Sequence, residues 1–169
     1  MATSGSADFE LAVDDYIEEA FERCGLEIRT GYDLKTAKRS LNLLFADWAN
    51  RGLNRWTITQ TTTTITDGTT EYTLAADTID VLSAVIRENA GTASQTDTAI
   101  SRIGRDTYLN ISSKLTESRP TQFYIDRQIV PKIRLYPTPN ATYSLVYDRL
   151  TRIEDADSAT NTVDVPFRF

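Results

Sequence analysis

The sequence predicts an α+β fold, in which an N-terminal antiparallel helical hairpin precedes an antiparallel β-sandwich or barrel-like β domain. Up to Trp48, apolar residues recur at helical spacing. After Trp56, β-branched residues and alternating apolar positions dominate, and turn signals separate the short segments. No repeat of solenoid length is present. We therefore expect residues 1–56 to form the hairpin and residues 57–169 to form the β domain, together as one structural unit.

The first helix is predicted over residues 9–24, where the apolar side chains share one face. Asp8 or Ser6 can cap its start, and Gly25 stands where a left-handed helix end is preferred. The opposite face is acidic and contains Asp14, Asp15, Glu18 and Glu19. This face is either a solvated surface or one presented to a neighbouring subunit or a lumen.

The second helix is predicted to begin at a cap within residues 30–33. Its apolar stripe comprises Leu34, Ala37, Leu41, Leu44, Phe45 and Trp48. Lys35, Lys38 and Arg39 face outward near the helix start, where the helix dipole disfavours cations. They could instead pair with the acidic helix beside them.

The segment 41–56 joins the helical part to the β part. Arg51-Gly52 is a helix C-cap signal, and a tryptophan lies on each side of it. Large aromatic side chains dominate packing energetics, so we take Trp48, Gly52 and Trp56 as a structural junction. The hypothesis is that the two tryptophans clamp the helical part onto the β part.

The β part is predicted as six or seven short strands. A Thr-rich strand over residues 57–66 should turn at Asp67-Gly68 and pair with residues 71–74 as a hairpin. Residues 79–87 form the most apolar candidate and should be central. A short helical turn is expected at 109–115, and strands at 122–128, 129–136 and 143–150, the last pairing back after a turn at 137–140. Residues 154–161 have loop composition.

Composition excludes several function classes. The net charge of −6 lacks the basic footprint of a general nucleic-acid binder. The absence of histidine removes the commonest acid–base and metal-binding side chain. Cys24 is the single cysteine, which excludes an internal disulfide and favours a reducing compartment. No apolar run approaches the roughly 20 residues of a membrane span, and the N-terminus lacks signal-peptide features.

Motifs for catalysis are equally lacking. The chain has no phosphate loop, dinucleotide fingerprint or nucleophile elbow. The aspartate pairs at positions 77/80 and 155/157 lack the Gly-centred loop and closing Glu of a calcium site. We therefore assign no catalytic, metal or cofactor-binding residue and expect no enzyme.

The one basic cluster comprises Arg102, Arg105, Lys114 and Arg119, with Tyr108 among them. Because the cluster has a single aromatic side chain, it gives little support to nucleic-acid binding by base stacking. Arg and Tyr are enriched at protein contacts, which favours an interface. Arg102, Arg105, Tyr108 and Arg119 are the candidate interface residues.

The order of several segments resembles one known layout. The segment 43–56 is followed by a Thr-rich strand, by Tyr72-Thr73-Leu74 with an acidic bend, by Tyr108 and Lys114 before 119–121, and by the Tyr-Pro-x-Pro at 136–139. Together these segments resemble the head-to-tail adaptors of tailed bacteriophages, most of all those of short-tailed phages (tubular tail protein A, or tail accessory factor). Such adaptors usually continue after the last Asp-x-Pro with an apolar helix, so the end at residues 167–169 predicts a shorter variant or a truncated chain.

The resemblance implies a virion protein assembled in the host cytoplasm. Head-to-tail contacts would build a homo-oligomeric ring of about twelve subunits. The ring would connect the portal protein to the tail nozzle protein and continue the channel, through which double-stranded DNA passes without specific binding. No membrane and no cofactor would be involved.

The alternative is a stand-alone β binding module, such as a phage fibre or carbohydrate-binding domain. An exposed aromatic platform would favour that alternative. The available tyrosines are Tyr108, Tyr124, Tyr136, Tyr143 and Tyr147. Most of them lie on alternating strand positions, which suit the core.

Overall fold

The computed structural model describes residues 10–28, 30–158 and 160–166. The chain divides into two compact units, Met1–Trp56 with Ile153–Phe169, and Thr57–Arg152. The described helices of the first unit and the strands of the second confirm the α+β class. The division into a hairpin over 1–56 and a β domain over 57–169 stays a prediction.

The first unit contains helix α1 (Val13–Arg23) and helix α2 (Gly31–Asn50). Thr30 caps α2 as predicted: its hydroxyl accepts from the Asp33 N–H at 3.3 Å, and the Asp33 carboxylate accepts from the Thr30 N–H at 3.2 Å. This reciprocal pair is a capping box, which satisfies two backbone donors at once. The predicted caps of α1, Ser6 and Asp8, lie outside the described residues.

Both helices end in the same motif. Gly25 and Gly52 have φ near +69°, and each donates to the carbonyl three residues back. The next residue, Leu26 or Leu53, donates to the carbonyl five residues back, at 2.9 and 3.1 Å. These are Schellman motifs, which need a left-handed residue that glycine adopts without a Cβ penalty. The two predicted helix ends are confirmed.

The core of the first unit takes side chains from both helices and from the C-terminal segment. Its buried members are Val13, Ile17, Phe45, Ile153 and Ala156. The amide of Ala156 donates to Asn42 Oδ1 at 2.8 Å, and that of Val13 donates to the Asn161 carbonyl at 2.9 Å. The antiparallel geometry of the hairpin stays a prediction.

The second unit holds eight strands and one short helix. The strands are β1 (Ile58–Ile65), β2 (Glu71–Thr73), β3 (Thr78–Glu88), β4 (Thr96–Ala99), β5 (Ser101–Arg102), β6 (Gln122–Asp126), β7 (Lys132–Tyr136) and β8 (Tyr143–Thr151), and the helix is α3 (Arg105–Leu109). One sheet has the order β1-β8-β3-β4 and the other β2-β7-β6-β5. As predicted, β3 is an interior strand.

Two predicted hairpins are wrong. β1 pairs along its whole length with β8, and β2 pairs with β7, so the turn at Asp67-Gly68 links the two sheets. Likewise β8 does not pair back onto β7 but lies between β1 and β3. In both cases the chain crosses to the other sheet at the turn. The turn residues set the change of direction, whereas the strand partner is set by packing of the two sheets on one core. The helical turn predicted at 109–115 is also wrong, since α3 precedes it.

The core of the second unit takes side chains from both sheets, which is the arrangement of a sandwich. Its fully buried members include Ile65, Val81, Ile86, Ile133, Leu135 and Leu145. The described strands form two open four-stranded sheets, so the barrel-like alternative is wrong. β5 runs parallel to β6, whereas the other pairs are antiparallel.

Candidate assembly surfaces

The residues of the predicted junction lie in the first unit. The Trp48 ring is half-buried, with its centroid 6.0 Å from that of Phe45. The Trp56 indole N–H donates to the Asp164 carbonyl at 2.8 Å. Both tryptophans pack against the core of this unit, and Gly52 ends α2 between them. The clamp between the helical and β parts stays a prediction.

Two of the candidate interface arginines have intramolecular partners. Both terminal nitrogens of Arg102 donate to the Asp80 carboxylate, at 2.9 and 3.0 Å. Arg119 lies 3.6 Å from Glu88. Their charges are thus partly satisfied within the chain, which lowers the gain from a second partner.

Tyr108 is buried, and only 6% of it is exposed. Its ring stacks on Tyr124, with 5.5 Å between the centroids. The Lys114 ammonium lies 5.8 Å from the Tyr108 centroid and donates to the carbonyls of Leu109 and Ile111. Tyr108 therefore anchors α3 to β6. Arg105 is exposed, and within the described residues it forms no ion pair.

Asp80 is the most enclosed carboxylate in these ion pairs, with 15% of its side chain exposed. Burial raises its pKa, but the hydrogen bonds and charges of Arg102 and Arg127 outweigh burial and hold the pKa below the ordinary value. Arg127 Nη2 lies 2.7 Å from the carboxylate. Asp80 is on β3 and both arginines belong to the β5–β6 side, so this cluster ties the two sheets together.

A second charge cluster lies on the outer face of the sheet that contains β7. The hydrogen bond from Lys132 and the charge of Arg134 outweigh desolvation and lower the pKa of Glu71. Arg134 also lies 3.6 Å from Asp126. These are cross-strand pairs of opposite charge, which stabilise sheet register.

The pair of Asp77 and Asp80, one of the two considered for a metal, is compensated by arginines. Asp77 pairs with Arg149 at 2.7 Å, and Asp80 pairs with Arg102 and Arg127. Among the described residues, no group of three or more His, Cys, Asp or Glu could hold a metal ion.

No aromatic platform forms from the five tyrosines that would favour a binding module. Tyr108 and Tyr147 are buried, while Tyr124, Tyr136 and Tyr143 are half-buried. Tyr143 donates its hydroxyl to Asn140 Oδ1 at 2.8 Å. The side chains are used in packing and hydrogen bonds within the second unit.

The outer faces of α1 and α2 carry opposite charges. Asp15, Glu18, Glu19 and Glu22 are all exposed on α1, as are Lys35 and Arg39 on α2. Lys38 lies 3.6 Å from Asp14, so part of the predicted pairing between the two helices is present. Tyr32 and Leu43 are 74% and 66% exposed on the same side of α2 as Lys35 and Arg39.

Sequence reasoning missed the role of the C-terminal segment. Residues 154–161 read as a loop, yet Ile153 and Ala156 are buried in the first unit. Ala12 and Thr162 form an isolated antiparallel bridge. The available signal was the set of apolar residues at 153, 156, 163 and 165 within a polar stretch.

A comparison with models of known protein families assigns the chain to a family. The model described as SU10 adaptor protein matches residues 7–169. The chain belongs to the SU10 adaptor protein family. The match supports the adaptor resemblance but not the narrower likeness to tubular tail protein A. No curated protein matches the chain.

As a member of the SU10 adaptor family, the chain is a phage structural protein that contacts other head and tail components at the virion neck. A structural family points away from catalysis. Within the described ranges, no helix is both long and apolar enough to cross a bilayer.

Proposed function

We propose that this protein forms a ring of about twelve copies between portal and tail nozzle and continues the DNA channel. The single observation that supports this proposal is the adaptor family match over residues 7–169. Head-to-tail contacts between identical subunits close into a ring when the rotation at each contact permits closure.

Charge is compatible with a channel role. The chain carries a net charge of −6 and no histidine. Like charge keeps a DNA duplex from adhering to a channel wall, since duplex affinity comes largely from basic contacts to phosphate. Double-stranded DNA would therefore pass without specific binding.

Assembly in the host cytoplasm agrees with the cysteine content. Cys24 is exposed and free. Exposed thiols persist in reducing compartments, whereas oxidising ones favour disulfides. In this proposal Trp48, Gly52 and Trp56 fix the shape of the helical unit. Arg102, Arg105 and Arg119 remain candidate interface residues of the β unit, whereas the buried Tyr108 supports α3 from inside that unit.

Electron microscopy of the purified chain mixed with the portal protein of the same virion tests the proposal. We expect rings of uniform diameter on the portal, counted as about twelve subunits in class averages. The portal alone and the chain alone are the controls. A chain that stays monomeric with portal present contradicts the adaptor ring.

A further inference from the structure

The solvent-facing side of α2 is a mixed apolar and basic surface. On a helix of 3.6 residues per turn, Tyr32, Lys35, Arg39 and Leu43 fall on the side opposite Leu34, Leu41 and Phe45, which pack on the core. All four are exposed, and Tyr32 and Leu43 are 74% and 66% exposed. We name this set the α2 stripe.

Within the part of the chain that the structure describes, the basic residues of the α2 stripe have no acidic partner. Neither Lys35 nor Arg39 forms an ion pair with any described residue, in contrast to Lys38, which faces Asp14. Lys35 also lies in the first turns of α2, where the helix dipole disfavours a cation. Both bases are exposed and are therefore available to an acidic surface outside the isolated chain.

The complementary surface lies on α1 of the same chain. Glu18 and Glu22 are exposed on the side opposite Val13 and Ile17, and no ion pair joins them to described residues. Glu18 and Glu22 are four residues apart, as are Lys35 and Arg39, which is a rise of about 6 Å in each helix. The charged groups of two helices lying side by side therefore match in spacing.

The two surfaces belong to one compact unit and lie on different helices. A second copy offers the matching charge, and pairing α2 of one copy with α1 of the next leaves a free α1 on one end and a free α2 on the other. Such a contact is heterologous, which is the type that generates rings.

We propose that the α2 stripe of one subunit docks on the Glu18/Glu22 face of α1 in the neighbouring subunit. The inference rests on the proposed ring and names its subunit contact. Tyr32 and Leu43 supply apolar area at either end of the contact, and the charges between them set orientation and register.

Charge reversal tests this contact without weakening the helices. One variant carries Glu18→Lys and Glu22→Lys, and the other carries Lys35→Glu and Arg39→Glu. Cations are favoured toward the C-terminus of a helix and anions toward its N-terminus, so both reversals leave helix stability intact or raise it. Circular dichroism melting checks this for each variant.

The decisive experiment compares each charge-reversed variant alone with a mixture of the two. Each variant alone presents like charges on both faces, so we expect its self-association to fall at least tenfold. In an equimolar mixture every α2 meets an α1 of opposite charge, and rings with alternating subunits should return to wild-type yield. The matched control for the α1 variant is Glu117→Lys with Glu154→Lys, which raises the net charge equally at exposed positions outside both helices. We expect this control to assemble as wild type.

Native mass spectrometry and sedimentation, with and without the portal protein, provide the measurement. Rings from either reversed variant alone, or a mixture that fails to recover, overturn the α1–α2 contact while leaving the ring proposal intact. Wild-type chain that forms no ring even with portal overturns both. At about 1 M salt the Debye length is about 3 Å, so charge pairs are strongly screened. Loss of wild-type rings under this condition supports the charged contact.

Discussion

Asp80 and Arg102 join the two sheets of the second unit through a bidentate ion pair. Both terminal nitrogens of Arg102, on β5, donate to the carboxylate of Asp80, on β3, at 2.9 and 3.0 Å. Arg127 adds a third donor at 2.7 Å. A carboxylate that is 15% exposed and accepts three charged hydrogen bonds holds the two layers together, in addition to the apolar core between them.

Replacing this carboxylate should destabilise the second unit. Asp80→Asn keeps the shape but removes the charge, so two arginines lose their partner, and we expect a loss of about 2 kcal/mol in unfolding free energy. Urea denaturation measures it. Asp97→Asn is the matched control, because the Arg87–Asp97 pair lies within one sheet and is more exposed, with 37% of the aspartate side chain accessible. An equal loss in the two variants contradicts the role of Asp80 as a tie between sheets.

The same carboxylate predicts a pH dependence. The pKa of Asp80 is lowered in the folded state from the ordinary value of 3.8. A depressed folded pKa contributes stability above the unfolded pKa, and this contribution is lost as the pH falls through the folded value. The free energy of unfolding of the wild type should therefore exceed that of Asp80→Asn at neutral pH, and this difference should shrink as the pH drops below about 4. Denaturation curves for both proteins at a series of pH values measure the difference, and a constant gap contradicts the assignment.

The end of α2 predicts a backbone effect. Gly52 has φ +69° and no atom within 4 Å of an added Cβ, so Gly52→Ala meets only backbone strain and should cost about 1 kcal/mol. Gly31→Ala is the matched control, since Gly31 begins α2 with equal space and no positive φ. There alanine should stabilise by about 0.4–1 kcal/mol, because it lowers the conformational entropy of the unfolded chain. Thermal melting of the two variants should shift in opposite directions, and a shared direction contradicts the Schellman geometry.

Elements were predictable because they depend on local patterns. The alternation in β6 and the apolar run of β3 identified strands, and Gly52 identified a helix end. Strand partners were not predictable, because Thr61 pairs with Tyr147 across most of the β unit. A turn signal such as Asp67-Gly68 specifies a change of direction but not which sheet the chain enters next.

The candidate interface residues were likewise predictable as sequence patterns, but their partners were not. The clustered arginines drew attention as an interface, but sequence gave no sign that Arg102 faces Asp80. The acidic side of α1 and the outward bases of α2 were visible as patterns. The sequence pattern did not show which of those bases pair within the chain. Among the described residues, Lys38 approaches Asp14, whereas Lys35 and Arg39 form no ion pair.

Truncating the Trp48 ring should destabilise the first unit. The ring is half-buried beside Phe45, and Trp48→Ala removes that packing at a cost of about 3 kcal/mol. Leu43→Ala on the same helix is the control, measured at a concentration at which the chain is monomeric. Leu43 is 66% exposed in the single chain, so the change should cost less than about 0.5 kcal/mol. Thermal unfolding of the two variants, followed by circular dichroism, separates these values. Melting temperatures that match in the two variants contradict the packing role of Trp48.

The C-terminal segment supplies the last prediction. Ile153 is 5% exposed and lies in the core with Val13 and Phe45, although it is more than 100 residues from either in sequence. Ile153→Ala should therefore cost about 2–4 kcal/mol, as truncation of a buried isoleucine does in a core that cannot collapse around the gap. The loss should appear in hydrogen exchange as weaker protection of α1 and α2 amides, because the segment and the helices share one core. Unchanged protection in both helices would show that the segment merely rests on the surface.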